Sequence, residues 1–178
     1  MNEFTVQYGK ALYSLCKDEN KCEKVYKELT VIDEIIAENS DYVKLLDTPA
    51  IKVEERLSLA DEAFSSFDYA VVNFIKILTE KKSVKELPGC IKEYMKIYDE
   101  DNKIERVVAK TAVKLNEKQI EKLKQKLEAM LNKKVFIKNE ISEDLIGGVT
   151  LKLTNNEIDG SVKGKLKDME NHLKALMF

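Results

Sequence analysis

The sequence predicts an α+β protein in which an N-terminal antiparallel bundle of about six helices precedes a small C-terminal α+β domain with a short sheet and a terminal helix. Apolar residues recur every three or four positions up to the polar run at residues 99–102, and beyond it they alternate with polar residues. Every tyrosine, every cysteine and both prolines precede that run, whereas four of the six glycines follow it. We therefore expect two domains, residues 1–103 and 104–178.

Most predicted helices of the first domain carry an apolar stripe, the face that a bundle buries. The stripes comprise Tyr8, Ala11, Leu12 and Leu15 in the first helix, Val25, Leu29, Ile32 and Ile36 in the second, Leu57, Ala60, Ala63 and Phe64 in the fourth, Val71, Phe74, Ile75 and Leu78 in the fifth, and Ile91, Tyr94, Met95 and Tyr98 in the sixth. A short third helix around residues 42–46 ends ahead of Pro49, because a residue that precedes proline is disfavoured in the α region. Pro88 suits the first turn of the sixth helix, where its missing N–H costs no hydrogen bond. Short connections between such helices predict antiparallel neighbours.

The second domain begins with a strand, a helix and a second strand. An alternating run predicts the first strand and places these residues on one face: Val107, Ala109, Thr111, Val113 and Leu115. Asn116 and Gln119 resemble a capping box. They open a helix whose stripe consists of Ile120, Leu123, Leu127 and Leu131. Residues 135–138 form the second short strand.

A hairpin and a final helix complete the predicted order β-α-β-β-β-α. Val149, Leu151 and Leu153 alternate with polar residues in the third strand, and a tight turn at Asn155-Asn156 leads to Ile158, since asparagine tolerates positive φ angles. Ser161 suits the N-cap of the terminal helix. The stripe of that helix consists of Val162, Leu166, Met169, Leu173 and Leu176.

Composition and charge argue against a nucleic-acid-binding protein and against a membrane-spanning one. Hydrophobic residues make up 44% of the 178 residues and charged residues 35%, which is typical of a water-soluble globular protein. The formal net charge of -2 gives no reason to expect nucleic acid as a partner. No apolar run approaches the roughly 20 residues that span a bilayer, and the N-terminus lacks the pattern of a secretory signal. We expect a cytoplasmic protein without direct membrane insertion.

The sequence predicts no catalytic, cofactor-binding or metal-binding residues. Cys16, Cys22 and Cys90 are odd in number and irregularly spaced, so they are interpreted as small apolar fillers of a reduced protein. The one histidine, His172, is far from them in sequence, which disfavours a zinc site. It is expected on a polar face of the terminal helix, where a lone histidine is usually a surface residue. No nucleophile elbow or zincin motif is present.

Two glycine segments resemble anion-binding loops. A phosphate loop needs four residues between its glycines and a hydroxyl residue after its lysine, whereas three residues separate Gly160 from Gly164 and Leu166 follows Lys165. We therefore interpret this segment as a turn, a cap and a helix start. Gly147-Gly148 could form an anion nest, but a sharp bend into the third strand is the favoured interpretation.

A lysine-rich stretch leaves two binding hypotheses open. Its members are Lys114, Lys118, Lys122, Lys124, Lys126, Lys133, Lys134 and Lys138. Acidic residues interrupt the stretch and Phe136 is its only interleaved aromatic residue, so a solvated face is the favoured interpretation over RNA binding. Contact with an acidic coiled-coil partner is the alternative.

Two blocks resemble one known family. Residues 145–149, Leu-Ile-Gly-Gly-Val, and residues 158–166, Ile-Asp-Gly-Ser-Val-Lys-Gly-Lys-Leu, are similar to the C-terminal signature of the delta subunit of F-type ATP synthases, called the oligomycin-sensitivity-conferring protein in mitochondria. The signature residues here are Gly147, Gly148, Asp159, Gly160, Ser161, Val162 and Gly164. Residues 8–13, 46–51 and 73–80 resemble the family's opening helix, proline break and fifth helix. Together these matches cover essentially the whole chain.

The chain departs from the family's pattern at several positions. Gly9 stands where the family usually has alanine, which weakens the first helix slightly. Lys82-Ser83 replaces the Gly-Arg that usually follows the fifth helix. Lys163 and Lys165 replace arginines, so bidentate contacts there are lost. None of these departures breaks the framework.

The resemblance implies a non-catalytic peripheral-stalk subunit of a proton-translocating F-type ATP synthase. One copy binds the N-termini of the alpha subunits through the helical domain and the b-subunit stalk helices through the C-terminal domain, so that the stalk resists rotary torque. Such a subunit is peripheral to the cytoplasmic side of a bacterial cell membrane. The implied groove for the alpha-subunit helix lies between the first and fifth helices and comprises Tyr8, Ala11, Leu12, Leu15, Asn73, Phe74, Ile77 and Leu78.

Three other functions are weighed beside this resemblance. The main alternative is a generic helical adaptor unrelated to ATP synthesis. A small enzyme and an RNA-associated protein that uses the lysine-rich helix are the others. Saturable binding of an alpha-subunit N-terminal peptide separates the first from the stalk subunit, and strong salt dependence of retention on nucleic acid identifies the last.

Overall fold

The computed structural model describes residues 2–154, 156–162 and 164. The chain divides into two compact units, Met1–Asp99 and Glu100–Phe178. Each unit has a hydrophobic core of its own, and among the described residues the two cores have no member in common. The stripe of the predicted terminal helix beyond Val162, together with His172, lies outside the described residues.

The six predicted helices of the first unit are confirmed. They are α1 (Glu3–Asp18), α2 (Cys22–Glu38), α3 (Ser40–Asp47), α4 (Val53–Phe64), α5 (Tyr69–Glu80) and α6 (Leu87–Asp101), with a 3-10 turn (Val84–Glu86) ahead of α6. Pro88 is the second residue of α6, in the first turn, as expected. The Asp47 carboxylate ends α3 and accepts the N–H groups of Val84 and Lys85 at 2.7 and 3.0 Å, which ties that helix to the 3-10 turn.

The predicted stripes match the core in some helices and are rotated in others. All four stripe residues of α2 and all four of α5 are buried. In α1, Ala11 and Leu15 are exposed instead, and in α4 Ala63 is exposed while Arg56 is fully buried. Apolar character alone could not reveal this rotation, because α1 buries small residues that let a neighbouring helix approach.

Gly9 lies at a close contact between α1 and α6. A Cβ atom on Gly9 would lie 2.8 Å from the Glu93 Cβ and 2.9 Å from the Cys90 carbonyl oxygen. Van der Waals contact between carbon atoms needs about 3.5 Å or more. Glycine therefore costs α1 some helix propensity but permits a tight helix–helix contact that the sequence did not predict.

The second unit confirms the predicted order of its strands and first helix. Its elements are β1 (Ile104–Thr111), α7 (Glu117–Leu131), β2 (Lys134–Ile141), β3 (Gly148–Lys152) and β4 (Glu157–Ser161). The strands lie in the order β2-β1-β3-β4; β1 is parallel to β2 through the α7 crossover and antiparallel to β3. One face of the sheet packs on α7 and forms a core of Val107, Ala109, Leu127, Val135 and Leu151.

The first strand ends earlier than its alternating pattern predicts. Val113 is 76% exposed and lies beyond the end of β1 at Thr111, so its assignment to the strand was wrong. The Asn139 side chain ends the pairing: its Nδ2 donates to the Thr111 hydroxyl at 2.8 Å, and its Oδ1 accepts the Leu115 N–H at 2.8 Å. The chain then enters α7 through the predicted capping box, which is present.

The hairpin between β3 and β4 is also present. Lys152 pairs with Glu157, and the Leu153 N–H donates to the Asn156 carbonyl at 2.8 Å. Asn155, the other residue of the predicted turn, lies outside the described part of the chain. The pairing nevertheless shows that the chain reverses where the sequence places the turn.

Candidate functional site

The α1 helix carries two apolar faces. Its buried face comprises Thr5, Gly9, Leu12, Tyr13 and Cys16. A second stripe of Phe4, Tyr8, Ala11 and Leu15 runs beside it, at the alternating spacing of four and three residues that keeps side chains on one side of a helix. Leu15 is 46% exposed and Tyr8 is half-buried, so this second face is available to solvent.

The α5 helix is the apolar partner of α1. The Asp68 carboxylate caps its N-terminus by accepting the Ala70 N–H at 3.1 Å. Seven of its residues are buried: Ala70, Val71, Val72, Phe74, Ile75, Leu78 and Thr79. Ile77 remains 43% exposed and Asn73 is half-buried. The helix therefore fills the core and still presents apolar surface at its edge.

The two helices pack against each other, and the predicted groove would lie between them. The rings of Tyr8 and Phe74 lie 6.4 Å apart between centroids, inclined at 53°. Leu12, Phe74 and Leu78 are buried core residues at the groove floor. The other five predicted groove residues are at least partly accessible: Tyr8, Ala11, Leu15, Asn73 and Ile77.

Phe4 lies beside the predicted groove residue Tyr8, although it was not among the groove residues predicted from the sequence. Its ring stacks on Tyr8, with centroids 4.2 Å apart and an interplanar angle of 27°. The signal was present, because Phe4 precedes Tyr8 by four residues and continues the same stripe. The Asn2 side chain accepts the Phe4 N–H at 3.4 Å and so starts α1 before this residue.

Arg56 binds the C-terminal end of α5. Its side chain is fully buried, and Nη1 donates to the carbonyl oxygens of Leu46 at 2.7 Å and Thr79 at 2.8 Å. These carbonyls lie at the C-terminal ends of α3 and α5, where a positive charge is favourable. Nε and Nη2 have no hydrogen-bond partner among the described residues. No pattern in the sequence indicated this role, because a lone arginine within a charged helix looks solvent-exposed.

The other end of α5 is fixed by Asp68. The carboxylate accepts from the Lys24 ammonium at 2.8 Å, and the Asp68 N–H donates to Glu28 at 2.8 Å, which joins α5 to α2. The hydrogen bond from Lys24, followed by that from the Ala70 N–H, lowers the pKa of Asp68 below its ordinary value. The groove wall formed by α5 is therefore anchored at both ends.

The signature glycines form a bend at the start of β3 and the end of β4. Gly148 has a φ angle of +89°, and a Cβ atom there would lie 2.5 Å from the Gly160 carbonyl oxygen. The Val162 N–H donates to the Gly147 carbonyl at 3.0 Å. The bend interpretation of Gly147-Gly148 is confirmed, since only glycine adopts this conformation without a clash.

The Asp159 side chain lies against the residues that join β4 to the segment after it. Its Oδ1 accepts the Ser161 N–H at 2.8 Å, and hydrogen bonding to Ser161 lowers the pKa of Asp159. The Ser161 hydroxyl accepts the Gly164 N–H at 2.9 Å, which is the predicted capping contact. A Cβ atom on Gly164 would lie 2.6 Å from Asp159 Oδ2. Asp159 and Ser161 thus accept backbone N–H groups of this segment, which supports the interpretation of the signature as a turn and a cap.

The cysteines show no chemistry typical of a nucleophile. Cys16 and Cys90 are each 1% exposed, and burial raises the pKa of both thiols to about 11. All three cysteines are free thiols. Within residues 2–154, 156–162 and 164, no group of three or more His, Cys, Asp or Glu side chains is arranged to hold a metal ion. None of the described helices is long and apolar enough to cross a membrane.

Solved structures share the fold of this chain. One chain of the cryo-EM structure of the Toxoplasma gondii mitochondrial ATP synthase hexamer superposes with a TM-score of 0.76 over 97% of this chain and 98% of that one. The two sequences are 20% identical, so this likeness concerns the fold.

Sequence comparisons give the family. The family model described as ATP synthase delta (OSCP) subunit matches residues 5–173. The chain is 32% identical to the sodium-ion-specific ATP synthase subunit delta of Ilyobacter tartaricus over 90% of its length and 92% of that protein. It is 30% identical to ATP synthase subunit delta of Clostridioides difficile over 99% of both chains. The chain belongs to the ATP synthase delta (OSCP) subunit family.

Proposed function

We propose that this chain is the stator subunit that links the alpha subunits of the catalytic headpiece to the b subunits of the peripheral stalk. Family membership makes it a non-catalytic subunit of an ATP synthase, and the link to those two partners is the proposal. The observation that carries it is the exposed apolar surface on the packed helices α1 and α5, where Leu15 and Ile77 remain 46% and 43% exposed. A subunit that only links two others needs a surface that binds its partners, and it needs no catalytic side chain.

The groove suits an amphipathic helix such as the N-terminus of an alpha subunit. Helix-in-groove recognition uses anchors at positions i, i+3, i+4 and i+7. The stripe of Phe4, Tyr8, Ala11 and Leu15 runs along α1 for three turns, which matches a helix of similar length laid beside it. The half-buried Tyr8 ring, which lies 6.4 Å from the buried Phe74 ring between centroids, supplies an aromatic contact for such a helix.

The second unit is proposed to bind the b-subunit stalk helices. Its four-stranded sheet and α7 form a core separate from that of the bundle, so a partner can be held there independently of the groove. Two attachment points on one chain allow torque on the headpiece to be opposed by the membrane-anchored stalk. Such a chain is peripheral, on the cytoplasmic side of a bacterial cell membrane, and present in one copy in each complex.

The proposal includes protons as the coupling ion of the parent enzyme. One relative, from Ilyobacter tartaricus, is named as sodium ion specific, so the ion must be measured on the assembled complex. Synthesis of ATP driven by a pH gradient in sodium-free buffer supports protons. A strict requirement for sodium contradicts that part of the proposal and leaves the stator role intact.

Titration with a peptide from the alpha-subunit N-terminus tests the groove. We expect saturable binding at micromolar concentration to the full chain, and Leu15→Ser with Ile77→Ser to weaken it about 10-fold or more, since each removes apolar contact area. The matched control is Val31→Ser with Ile35→Ser on α2, whose side chains are 46% and 38% exposed outside the groove. Equal weakening by both pairs, or no saturable binding to the full chain, overturns the assignment.

A further inference from the structure

The two units of the chain carry opposite charge. Residues 100–178 contain 16 Lys and Arg against 13 Asp and Glu, whereas residues 1–99 contain 14 and 19. The second unit is therefore positive within a protein whose formal net charge is -2. Charge of one sign on one part of a protein steers partners of the opposite sign to that part.

Part of this positive charge gathers on the sheet face opposite α7. In the parallel pair, Arg106 lies beside Phe136, and Lys134 and Lys138 flank Phe136 on β2. Successive strand residues point to opposite faces, so these four side chains share the face that Val107 and Val135 do not. All four are exposed: Phe136 is 44% accessible and the Lys138 side chain 76%. We name this surface, Arg106, Lys134, Phe136 and Lys138, the basic sheet face.

Phe136 lies at the centre of the basic sheet face between two cations. The Arg106 guanidinium carbon is 5.5 Å from the ring centroid and the Lys134 ammonium is 5.4 Å from it. Both distances are within the range of cation–π attraction, which holds the ring in place. A fixed aromatic side chain surrounded by charge has the composition of a binding hot spot, in which the ring supplies contact area and the charges supply orientation.

We infer that the basic sheet face docks an amphipathic helix that presents acidic residues beside an apolar seam, and that this helix belongs to the b-subunit stalk. The inference deepens the proposed function and rests on it, because it names the surface of the second unit that holds the stalk. Phe136 enters the apolar seam, and Arg106, Lys134 and Lys138 pair with carboxylates along the helix. The contact differs from the lysine-rich face of α7, which lies on the other side of the sheet.

The same face fits RNA poorly. Glu140 lies on it and accepts an ion pair from Lys138 at 3.0 Å, and Glu157 pairs in register with Lys152 on the same side of the sheet. A nucleic-acid backbone carries a negative charge on every nucleotide and cannot avoid these carboxylates. An amphipathic helix can place its acidic residues beside the cations of the basic sheet face and its apolar seam elsewhere on the face. Among the described residues, Phe136 is the one aromatic side chain of the face, whereas single-stranded RNA is bound by several stacking platforms.

The test measures binding of the full chain to the soluble segment of the b subunits from the same organism. The variants are Lys134→Glu with Lys138→Glu, and separately Phe136→Ala. The matched control is Lys118→Glu with Lys122→Glu, which makes the same charge change at exposed positions on α7. Circular dichroism melting identifies any variant that fails to fold, and the charge variants and Phe136→Ala then serve as independent checks on each other.

We expect each sheet variant to weaken stalk binding about 10-fold or more, and the α7 control to change it less than about threefold. Binding of the wild-type chain should weaken as salt rises. If the wild-type chain does not bind the stalk segment, the proposed function fails and this inference with it. If the wild-type chain binds but the sheet variants bind as tightly as the control, only this inference fails. Tighter binding to a 20-nucleotide single-stranded RNA than to the stalk segment also overturns it.

Discussion

The Arg56 guanidinium and the Thr79 carbonyl oxygen are joined by a fully buried hydrogen bond of 2.8 Å. The same Nη1 also binds the Leu46 carbonyl, so one side chain closes the C-terminal ends of two helices. A hydrogen bond from a charged group contributes about 1.5 to 3 kcal/mol. The position of the groove wall formed by α5 therefore depends on a residue that does not line the groove.

Replacing Arg56 should destabilise the bundle. We expect Arg56→Ala to lower the free energy of unfolding by about 3 kcal/mol, because two helix-end carbonyls lose their donor and a cavity is left. Urea denaturation followed by circular dichroism measures this. Lys52→Ala, an exposed change at the N-cap position of the same helix, is the control. A loss from Arg56→Ala no larger than that of the control would falsify the bracing role.

Lys82 adopts a left-handed conformation that favours glycine. Its φ angle is +53°, and the Ser83 N–H donates to the Leu78 carbonyl at 2.9 Å, the arrangement of a Schellman helix end. We expect Lys82→Gly to raise the free energy of unfolding by roughly 0.5 to 1 kcal/mol, since glycine carries no Cβ strain there. Lys81→Gly, at a φ of -78°, should lower it by a similar amount. Thermal and urea unfolding distinguish the two; stabilisation by both changes contradicts the conformational explanation.

Gly9→Ala should destabilise the protein although alanine favours helix. The added Cβ would lie 2.8 Å from the Glu93 Cβ and force α1 away from α6. Overpacking of a tight contact costs about 1 to 3 kcal/mol, which exceeds the roughly 1 kcal/mol gained in helix propensity. Ser14→Ala, on the exposed side of α1, is the control and should be neutral or slightly stabilising. Urea denaturation compares the variant with the wild-type chain. If Gly9→Ala is the more stable of the two, α6 shifts to make room for the added methyl group and the prediction is wrong.

The Asp68 ion pair should contribute stability only while the carboxylate is charged. Its pKa is lowered in the folded protein, so this stability is present above the ordinary aspartate pKa of about 3.9 and is lost as the pH falls through the lowered value. Asp68→Asn keeps the helix cap and removes the charge. We expect the wild-type chain to be more stable by roughly 0.5 to 1 kcal/mol at pH 7, with the difference gone in strong acid.

Urea denaturation at pH 7, 5, 3 and about 1.5 follows this difference, because the lowered pKa leaves the carboxylate partly charged at pH 3. Asp41→Asn is the control, because Asp41 pairs with Lys44 at 2.8 Å in full contact with solvent, where such a pair adds little. A gap between wild type and Asp68→Asn that persists unchanged well below pH 3 points to packing instead of charge.

Periodicity predicted the order and number of elements well, because each buried stripe repeats with its helix or strand. The buried faces of α2 and α5 were correct residue by residue. The rotation of α1 was not predicted, since Thr5 and Gly9 are neither large nor strongly apolar, yet they lie against α6. The early end of β1 depends on Asn139, 28 residues beyond Thr111, and local alternation contains no information about such a distant contact.

The groove was predicted from the family resemblance, and its residues divide in the structure into floor and rim. The spacing of apolar residues could not separate buried from exposed groove residues. Leu12 and Leu15 are the same residue type and differ only in the side of α1 on which they lie. Family membership removes the adaptor unrelated to ATP synthesis from consideration. The partner at each surface stays a prediction.

Because their cores are separate, we expect each unit to have its own melting transition. The described residues of the bundle core and of the sheet core form two separate sets, so we expect a ligand to stabilise the unit to which it binds. Calorimetry of the chain should then resolve two endotherms. An alpha-subunit peptide should raise the melting temperature of the first unit, and the soluble stalk segment should raise that of the second. The calorimetric trace then identifies the unit that each partner contacts.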